Sequence, residues 1–195
     1  RWRNHAVGQF IHWGVYSIPA GVWNGKNVQA GEWIRSSVPA DEKHIYDNLY
    51  KEFNPTKFNA KEWAKTSKQL GAKYVIFTTK HHDGFCMWPS KHTGYTIANS
   101  PYKKDIVKEI VDAYNAEGID VHLYFSIIDW NHKGYRSAIP QTDKEKAAYK
   151  EFLTFTRNQV LELMENYLTK KGLWFDGSWD KAWVTEAVWV GELNK

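Results

Sequence analysis

The segment GLWFDGSW, residues 172–179, is a short apolar run that ends abruptly in Asp176 and is followed at once by Gly177. Its length and its large apolar side chains are typical of a buried strand. An acid at the tip of such a strand can cap the next helix, hold a metal ion or attack a carbon atom. The rest of the sequence has to separate these three possibilities.

Three further segments share this strand pattern, and helical patterns separate the four. The predicted strands cover 9–17, 73–82, 120–130 and 172–177. The predicted helices cover 59–71, 105–118, 142–167 and 181–194. Asn59 and Asp105 are suited to helix N-caps, with Gly71 and Gly118 just beyond the corresponding helix ends. Thr142 starts a capping-box pattern. The βαβαβαβα order predicts an α/β protein with a parallel sheet.

Polar residues stand at the ends of the predicted strands. They are His12, then His81 and His82, then Tyr124 and Asp129, then Asp176. No glycine-rich nucleotide motif follows the first strand, so a nucleotide-binding doubly wound sheet has no support. Polar groups at the carboxyl ends of successive strands are instead typical of the (β/α)8 TIM-like barrel.

The length of the chain sets how much of such a barrel it can contain. A complete barrel typically needs about 250 residues, so we expect this chain to supply roughly the first four βα units. We assign residues 1–195 to the N-terminal portion of a (β/α)8-type catalytic domain, with no second domain visible. Half a barrel has two open sheet edges. We therefore expect the remaining half to come from further sequence or from another chain.

The composition favours one class of ligand. The chain has 11 Trp, many of them beside polar residues, as in HWG, EWI and DWNH. Aromatic rings pack on the C–H faces of sugars while neighbouring polar groups bind hydroxyls, although Trp also fills protein cores. The pattern therefore indicates a carbohydrate site.

Charge and hydropathy weigh against other partners. The net charge of +4 comes from basic residues that are scattered mostly over predicted helix faces, so no nucleic-acid partner is expected. No apolar run approaches the roughly 20 residues that span a bilayer, so no membrane insertion is expected. The single cysteine, Cys86, excludes an internal disulfide.

The segment KHHDGFCMW, residues 80–88, is the densest polar cluster. Neighbouring strand residues point to opposite faces, so His81 and His82 can share a pocket only if the chain turns there, and Asp83-Gly84 supplies a turn. Two imidazoles of this kind can bind sugar hydroxyls, or one can be a core histidine. A metal site is the rival hypothesis, with ligands drawn from His12, His81 or His82, His122 and Asp176. The sequence lacks the usual metal-ligand spacings, so neither a metal nor another cofactor is expected.

The two acids singled out by the sequence keep alternatives open. Glu32 follows the first strand in AGEWI and matters only if that loop folds over the same strand ends. Asp176 follows an apolar segment, and the predicted sheet places it near the histidines. Both features suit a nucleophile that attacks an anomeric carbon. Asp-Gly-Ser is equally suited to an N-cap of the following helix.

Four segments taken together resemble one family: FIHWGVYS, EW, HHDGF and LWFDG. They are similar to the α-L-fucosidases of glycoside hydrolase family 29, over residues 1 to about 183. The resemblance implies a retaining exo-glycosidase that removes terminal α-L-fucose from fucosylated oligosaccharides or glycoconjugates. It also implies a secreted, periplasmic or lysosomal location.

The resemblance implies a role for each matching residue. Asp176 would be the nucleophile, and the residues that bind fucose would be Phe10, His12, Glu32, His81, His82, Tyr124 and Trp174. The family's general acid/base comes from beyond the fourth strand, and neither Glu186 nor Glu192 is assigned to this role. Two other functions stay open: a catalytically silent glycan-binding barrel and a metal-dependent hydrolase.

Overall fold

The computed structural model describes residues 7–167 and 172–186. Over these residues the strands are β1 (Gly8–Ile11), β2 (Val22–Trp23), β3 (Lys26–Asn27), β4 (Tyr74–Lys80), β5 (Asp120–Ser126) and β6 (Leu173–Asp176). The helices are α1 (Ile34–Ser37), α2 (Lys43–Tyr46), α3 (Ala60–Gln69), α4 (Ile106–Ala116), α5 (Asp143–Tyr167) and α6 (Lys181–Glu186). Short 3₁₀ turns cover Val15–Ser17, Gly31–Trp33, Leu49–Lys51 and Ile97–Asn99. None of these helices is long and apolar enough to cross a membrane.

The main sheet is parallel and has the order β1-β4-β5-β6. Because α3, α4 and α5 connect its strands along the chain, each crossover is helical, as parallel pairing requires. The predicted α/β architecture with a parallel sheet is therefore confirmed. The sequence did not predict the small antiparallel pair β2–β3, which lies in the long segment after β1.

The two faces of the main sheet carry different side chains. On one face, Val75, Phe77, Val121, Leu123 and Phe125 are buried in the hydrophobic core with the apolar sides of α3, α4 and α5. The alternate residues of the same strands lie on the opposite face, because strand side chains alternate. Those residues include the predicted site residues Phe10, Tyr124, Trp174 and Asp176. The sheet therefore separates the core from the face that carries the polar chemistry.

The predicted helix starts are confirmed by their capping bonds. The Asn59 side chain accepts a hydrogen bond from the Glu62 amide, and Asp105 accepts one from the Lys108 amide. At α5 the capping box is reciprocal. The Glu145 N–H donates to Thr142 Oγ1 at 3.2 Å, and the Thr142 N–H donates to Glu145 Oε2 at 3.1 Å. The predicted helix 181–194 begins at Lys181, and its part after residue 186 lies outside the described residues.

The strands are shorter than the sequence predicts, most of all the first, which ends at Ile11 instead of residue 17. The strand ends early because a side chain takes the place of the neighbouring strand's backbone as the hydrogen-bond partner of Trp13. Thr78 Oγ1 accepts from the Trp13 N–H at 2.8 Å and donates to the Trp13 carbonyl at 2.9 Å. The chain then turns, and Val15–Ser17 forms a 3₁₀ turn. Similarly, β4 ends at Lys80 because His81–Gly84 is a turn, in which Gly84 has φ +86° and donates to the His81 carbonyl.

At the amino end of the sheet, Gly8 leaves room for an aromatic ring. A Cβ at residue 8 would lie 2.0 Å from the Tyr74 ring, so only glycine permits this close approach. The Tyr74 ring meets the edge of the His122 ring, with 6.0 Å between centroids. Tyr74, the first residue of β4, therefore lies at the opposite end of the sheet from His81, His82 and Asp176.

Candidate active site

The structure brings the predicted site residues to the carboxyl edge of the parallel sheet. Phe10 lies in β1, and His12 follows that strand directly. His81 and His82 follow β4, Tyr124 lies in β5, and Trp174 and Asp176 lie in β6. Glu32 is the exception, because the 3₁₀ turn Gly31–Trp33 carries it instead of a strand.

An aromatic wall forms around Phe10. Its ring lies 5.5 Å from the Trp174 ring, edge to face, and 4.6 Å from the His12 ring. Tyr124 closes the group at 6.0 Å from Phe10 and 5.4 Å from His12. Phe10 is 43% exposed and Trp174 46% exposed, so both rings have free surface. An exposed aromatic wall beside polar side chains is suited to the C–H face of a sugar.

The two adjacent histidines share the pocket, as their turn predicted. Their ring centroids are 4.3 Å apart, and the His81 ring stacks on Tyr124 at 5.6 Å. Burial lowers the pKa of His81 to about 2 and that of His82 to about 4, so both are neutral at neutral pH. His81 Nδ1 and His82 Nε2 are buried nitrogens without a hydrogen-bond partner. Buried polar atoms are almost always paired, so these two atoms indicate a polar ligand.

Asp176 lies at the centre of the group. Its Oδ2 accepts from the Tyr124 hydroxyl at 2.6 Å, and its Oδ1 accepts from the Gly177 N–H at 2.8 Å. His82 Nε2 lies 4.0 Å from Oδ2, too far for a hydrogen bond. Burial and then the bond to Asp176 raise the pKa of Tyr124, which therefore remains a donor. The N-cap alternative for Asp176 is wrong, because α6 begins only at Lys181 and the carboxylate is already bonded within the site.

Glu32 acts on the site through its charge. Burial lowers the pKa of His12, and the charges of Glu32 and Asp176 oppose that shift. The turn that carries Glu32 follows Ala30, which has φ +54°, and this left-handed residue starts the turn. The loop after β1 therefore brings a second carboxylate near the strand ends, which was the condition for Glu32 to matter.

The rival metal hypothesis finds part of its predicted ligand set. His81, His82 and Asp176 each offer one ligand atom, and these atoms lie within 4.8 Å of one another. His12 and His122 are not members of this group. His122 lies in the middle of β5 against the Tyr74 ring, which agrees with a structural role. Three ligands of these types match the number that a catalytic zinc site uses.

The structure adds residues that were not among the predicted site residues. Trp33, Trp130 and Trp179 surround His82, with ring centroids 4.6, 5.4 and 5.9 Å from its own. Ser126 Oγ lies 2.6 Å from His82 Nδ1. The alternation of side chains along β5 could have indicated Ser126, because Ser126 stands two residues after Tyr124 and so lies on the same face of the sheet. The tryptophans come from three separate loops, and no local pattern predicts that they meet.

An aromatic wall, neutral imidazoles and one hydrogen-bonded carboxylate at the carboxyl ends of parallel strands are the features expected of a sugar site in the glycoside hydrolase class. Comparison with known proteins agrees. The family model described as Alpha-L-fucosidase matches residues 1–194. The chain belongs to the α-L-fucosidases, in glycoside hydrolase family 29.

Solved structures of this family superpose closely on the chain. It is similar to a bacterial fucosidase with a monovalent iminocyclitol inhibitor, with 52% identity, a TM-score of 0.92, and coverage of 98% of this chain and 43% of that one. It is also similar to an α-L-fucosidase of Bacteroides thetaiotaomicron trapped as a covalent intermediate with 2-fluoro-fucosyl fluoride. There the identity is 51% and the TM-score 0.92, over 98% of this chain and 44% of that one.

Curated relatives match over most of this chain but a minor part of their own length. The plasma α-L-fucosidase of Homo sapiens is 31% identical over 183 residues, which is 87% of this chain and 37% of the relative. Alpha-L-fucosidase 1 of Arabidopsis thaliana is 36% identical over 129 residues, which is 65% of this chain and 23% of the relative. The chain thus spans well under half the length of these relatives.

Proposed function

We propose that the protein is a retaining exo-α-L-fucosidase in which Asp176 is the nucleophile. The observation that carries this proposal is the position of its carboxylate, at the end of β6, bonded to Tyr124 and Gly177 and facing the unpartnered nitrogen of His82. Two donors orient the carboxylate before a substrate arrives. The relative trapped as a covalent intermediate supports a glycosyl-enzyme mechanism for this family.

The reaction proceeds in two displacements. A carboxylate oxygen of Asp176 attacks the anomeric carbon, and the bond from that carbon to the leaving oxygen breaks. The leaving oxygen takes a proton from a general acid, which we do not assign to this chain. Glu192 lies outside the described residues, and Glu186 stands at the end of α6. Water then gives a proton to the same acid, now acting as a base, and attacks the same carbon. The bond from that carbon to Asp176 breaks, and fucose leaves with retained configuration.

The remaining site residues bind the sugar. Phe10 and Trp174 form the apolar wall against the pyranose and its C6 methyl group. This wall would disfavour a 6-hydroxyl, because that hydroxyl would be desolvated there without a partner. The hydroxyls of fucose are bound by His12, Glu32, His81, His82 and Tyr124. A fucosylated oligosaccharide or glycoconjugate is the proposed substrate.

We also propose that the chain supplies the first four βα units of a (β/α)8 barrel, the N-terminal portion of a catalytic domain. The parallel order β1-β4-β5-β6 with helical crossovers supports this, as do the polar groups at one end of the sheet. The other half of the barrel comes from further sequence or another chain and contributes the general acid.

The test is covalent labelling of the full-length protein with 2-fluoro-fucosyl fluoride, read by intact mass and peptide mapping. We expect one fluorofucosyl group on Asp176 and none in Asp176→Asn. Asp180→Asn is the matched control, because Asp180 is bonded to Tyr135 and not to the site, and it should still be labelled. Labelling of another residue, or equal labelling of Asp176→Asn, would refute the nucleophile.

A second candidate, a metal-dependent hydrolase, has one observation in its favour, the grouping of His81, His82 and Asp176. The fucosidase mechanism needs no metal, so prolonged chelation should leave kcat/KM for aryl α-L-fucosides unchanged. Loss of activity on chelation, with recovery on adding zinc, would favour the metal. A protein that binds fucose but is neither labelled nor active would instead be a glycan-binding barrel.

A further inference from the structure

Ser126 is a fully buried hydroxyl directly behind the candidate site. It is the last residue of β5, pairs in register with Asp176 and has no exposed surface. Its Oγ has two close polar neighbours: His82 Nδ1 at 2.6 Å and the Ile128 carbonyl oxygen at 2.7 Å. These two contacts determine which atom carries each proton.

A serine hydroxyl has one proton to donate and lone pairs to accept with. A carbonyl oxygen can only accept, so the Ser126 proton must point at Ile128. The 2.6 Å contact with His82 then needs a proton from the imidazole, and that proton is on Nδ1. We propose that Ser126 fixes His82 as the Nδ1–H tautomer, so that Nε2 accepts a hydrogen bond from a hydroxyl of the bound sugar.

The surroundings of His82 Nε2 support its role as a hydrogen-bond acceptor for the sugar. This nitrogen is buried without a partner, and the nearest carboxylate oxygen, Asp176 Oδ2, is itself an acceptor 4.0 Å away. The low pKa of His82 keeps the ring neutral, so a second ring proton is absent at neutral pH. Trp33 and Trp130 pack edge to face on the ring and hold its plane. A sugar hydroxyl supplies the missing donor.

The tautomer matters for Asp176, and this step rests on the proposed function. An Nε2–H tautomer would point its proton toward the carboxylate oxygen 4.0 Å away, and this positive end of the N–H dipole would reduce the nucleophilicity of the carboxylate. With the proton on Nδ1, Asp176 keeps only the bonds from Tyr124 and Gly177. Ser126 is thus a positioning residue that acts through His82, because the hydrogen bond on one imidazole nitrogen sets the role of the other.

The test is ¹⁵N NMR of the full-length protein with labelled histidine, because protonated and unprotonated ring nitrogens resonate far apart. His82 is assigned from its absence in His82→Gln. We expect the proton on Nδ1 in the wild type and on Nε2 in Ser126→Ala, where Nδ1 has lost its acceptor and the Asp176 carboxylate, 4.0 Å from Nε2, is left to attract the proton. Ser100→Ala is the matched control. Ser100 is also buried, and its hydroxyl also donates to a backbone carbonyl, that of Ile97 at 2.8 Å.

Kinetics give the second readout. Ser126→Ala should lower kcat/KM for aryl α-L-fucosides about tenfold, the effect of losing one well-placed hydrogen bond, while Ser100→Ala keeps the wild-type tautomer and rate. A wild-type His82 with its proton on Nε2, or on both nitrogens at neutral pH, overturns the proposal, as does a Ser126→Ala protein that keeps the Nδ1 proton. A wild type with the expected tautomer but no turnover supports the role of Ser126 and contradicts the fucosidase function instead.

Discussion

The buried ion pair between Lys80 and Asp129 should be the most sensitive point of the fold beside the site. Lys80 Nζ lies 3.1 Å from Asp129 Oδ2, and the side chains are 0% and 3% exposed. The ammonium also donates to Gln159 Oε1 at 3.1 Å and lies 4.3 Å from the Phe125 ring. Asp129 Oδ1 meanwhile accepts from the Asn131 backbone N–H at 3.1 Å. Each charge is thus satisfied only by fixed protein groups.

Replacing Lys80 by methionine shortens the side chain by only one atom but leaves the Asp129 carboxylate buried and without its counter-charge. Removal of one partner from a buried pair costs about 3–5 kcal/mol, so the free energy of unfolding should fall by about that much. The assay is urea unfolding of the full-length protein followed by Trp fluorescence. Because Lys80 directly precedes His81 and His82, the same variant should also lose kcat/KM.

Two comparisons make this prediction refutable. Lys108 and Asp112 form a pair at 2.8 Å on the exposed face of α4, with side chains 63% and 62% exposed, so Lys108→Met should change little. The double variant Lys80→Met/Asp129→Asn should recover much of the loss, because the amide needs no counter-charge. A loss below about 1 kcal/mol in Lys80→Met, against the 3–5 expected, would show that the carboxylate does not depend on Lys80 and would refute the reasoning.

Two further predictions concern backbone strain and pH. Gly177→Ala should lower kcat/KM at least tenfold in a fucoside assay, because at φ +85° its Cβ would lie 2.7 Å from Ile128 Cγ1 and displace the amide that holds Asp176. Gly71→Ala, at φ +83° with open space around it, should keep the wild-type rate. In pH-dependent urea unfolding, the wild type should lose stability relative to His82→Gln as pH falls from about 6.5 to about 4. Over this range His82 binds a proton in the unfolded chain but not in the folded protein, where its pKa is lowered to about 4, so falling pH favours unfolding. Asp83, whose pKa burial raises to about 6, has the opposite effect but is common to both proteins, so parallel curves would contradict the pKa of His82.

The helices were predictable from local sequence because their signals are local. Asn59, Asp105 and Thr142 accept the capping bonds that their residue types predicted. The alternation of main-sheet strands and helices along the chain was predictable as well, because each apolar run is bounded by turn residues. The end of β1 was not, because it depends on Thr78, 65 residues from the Trp13 backbone that it bonds.

The candidate site was predictable in part, because the carboxyl ends of parallel strands lie at one edge of a sheet. The buried residues behind the site were not predictable. Lys80 looks like an ordinary surface lysine in sequence, and only the packing of β5 and α5 around it shows that it is buried. Ser126 is polar at the end of an apolar strand, but its function depends on His82, which is 44 residues away in the chain. Long-range pairings of this kind leave no periodic pattern in a single sequence.

The packing of the Tyr74 ring over Gly8 has a consequence for how these two positions can vary. A Cβ at residue 8 would lie 2.0 Å from the Tyr74 ring, so a side chain could enter there only if that ring moved or became smaller. Gly8 and Tyr74 also pair in register in neighbouring strands. The two positions are therefore constrained to change together, although they lie far apart in the chain.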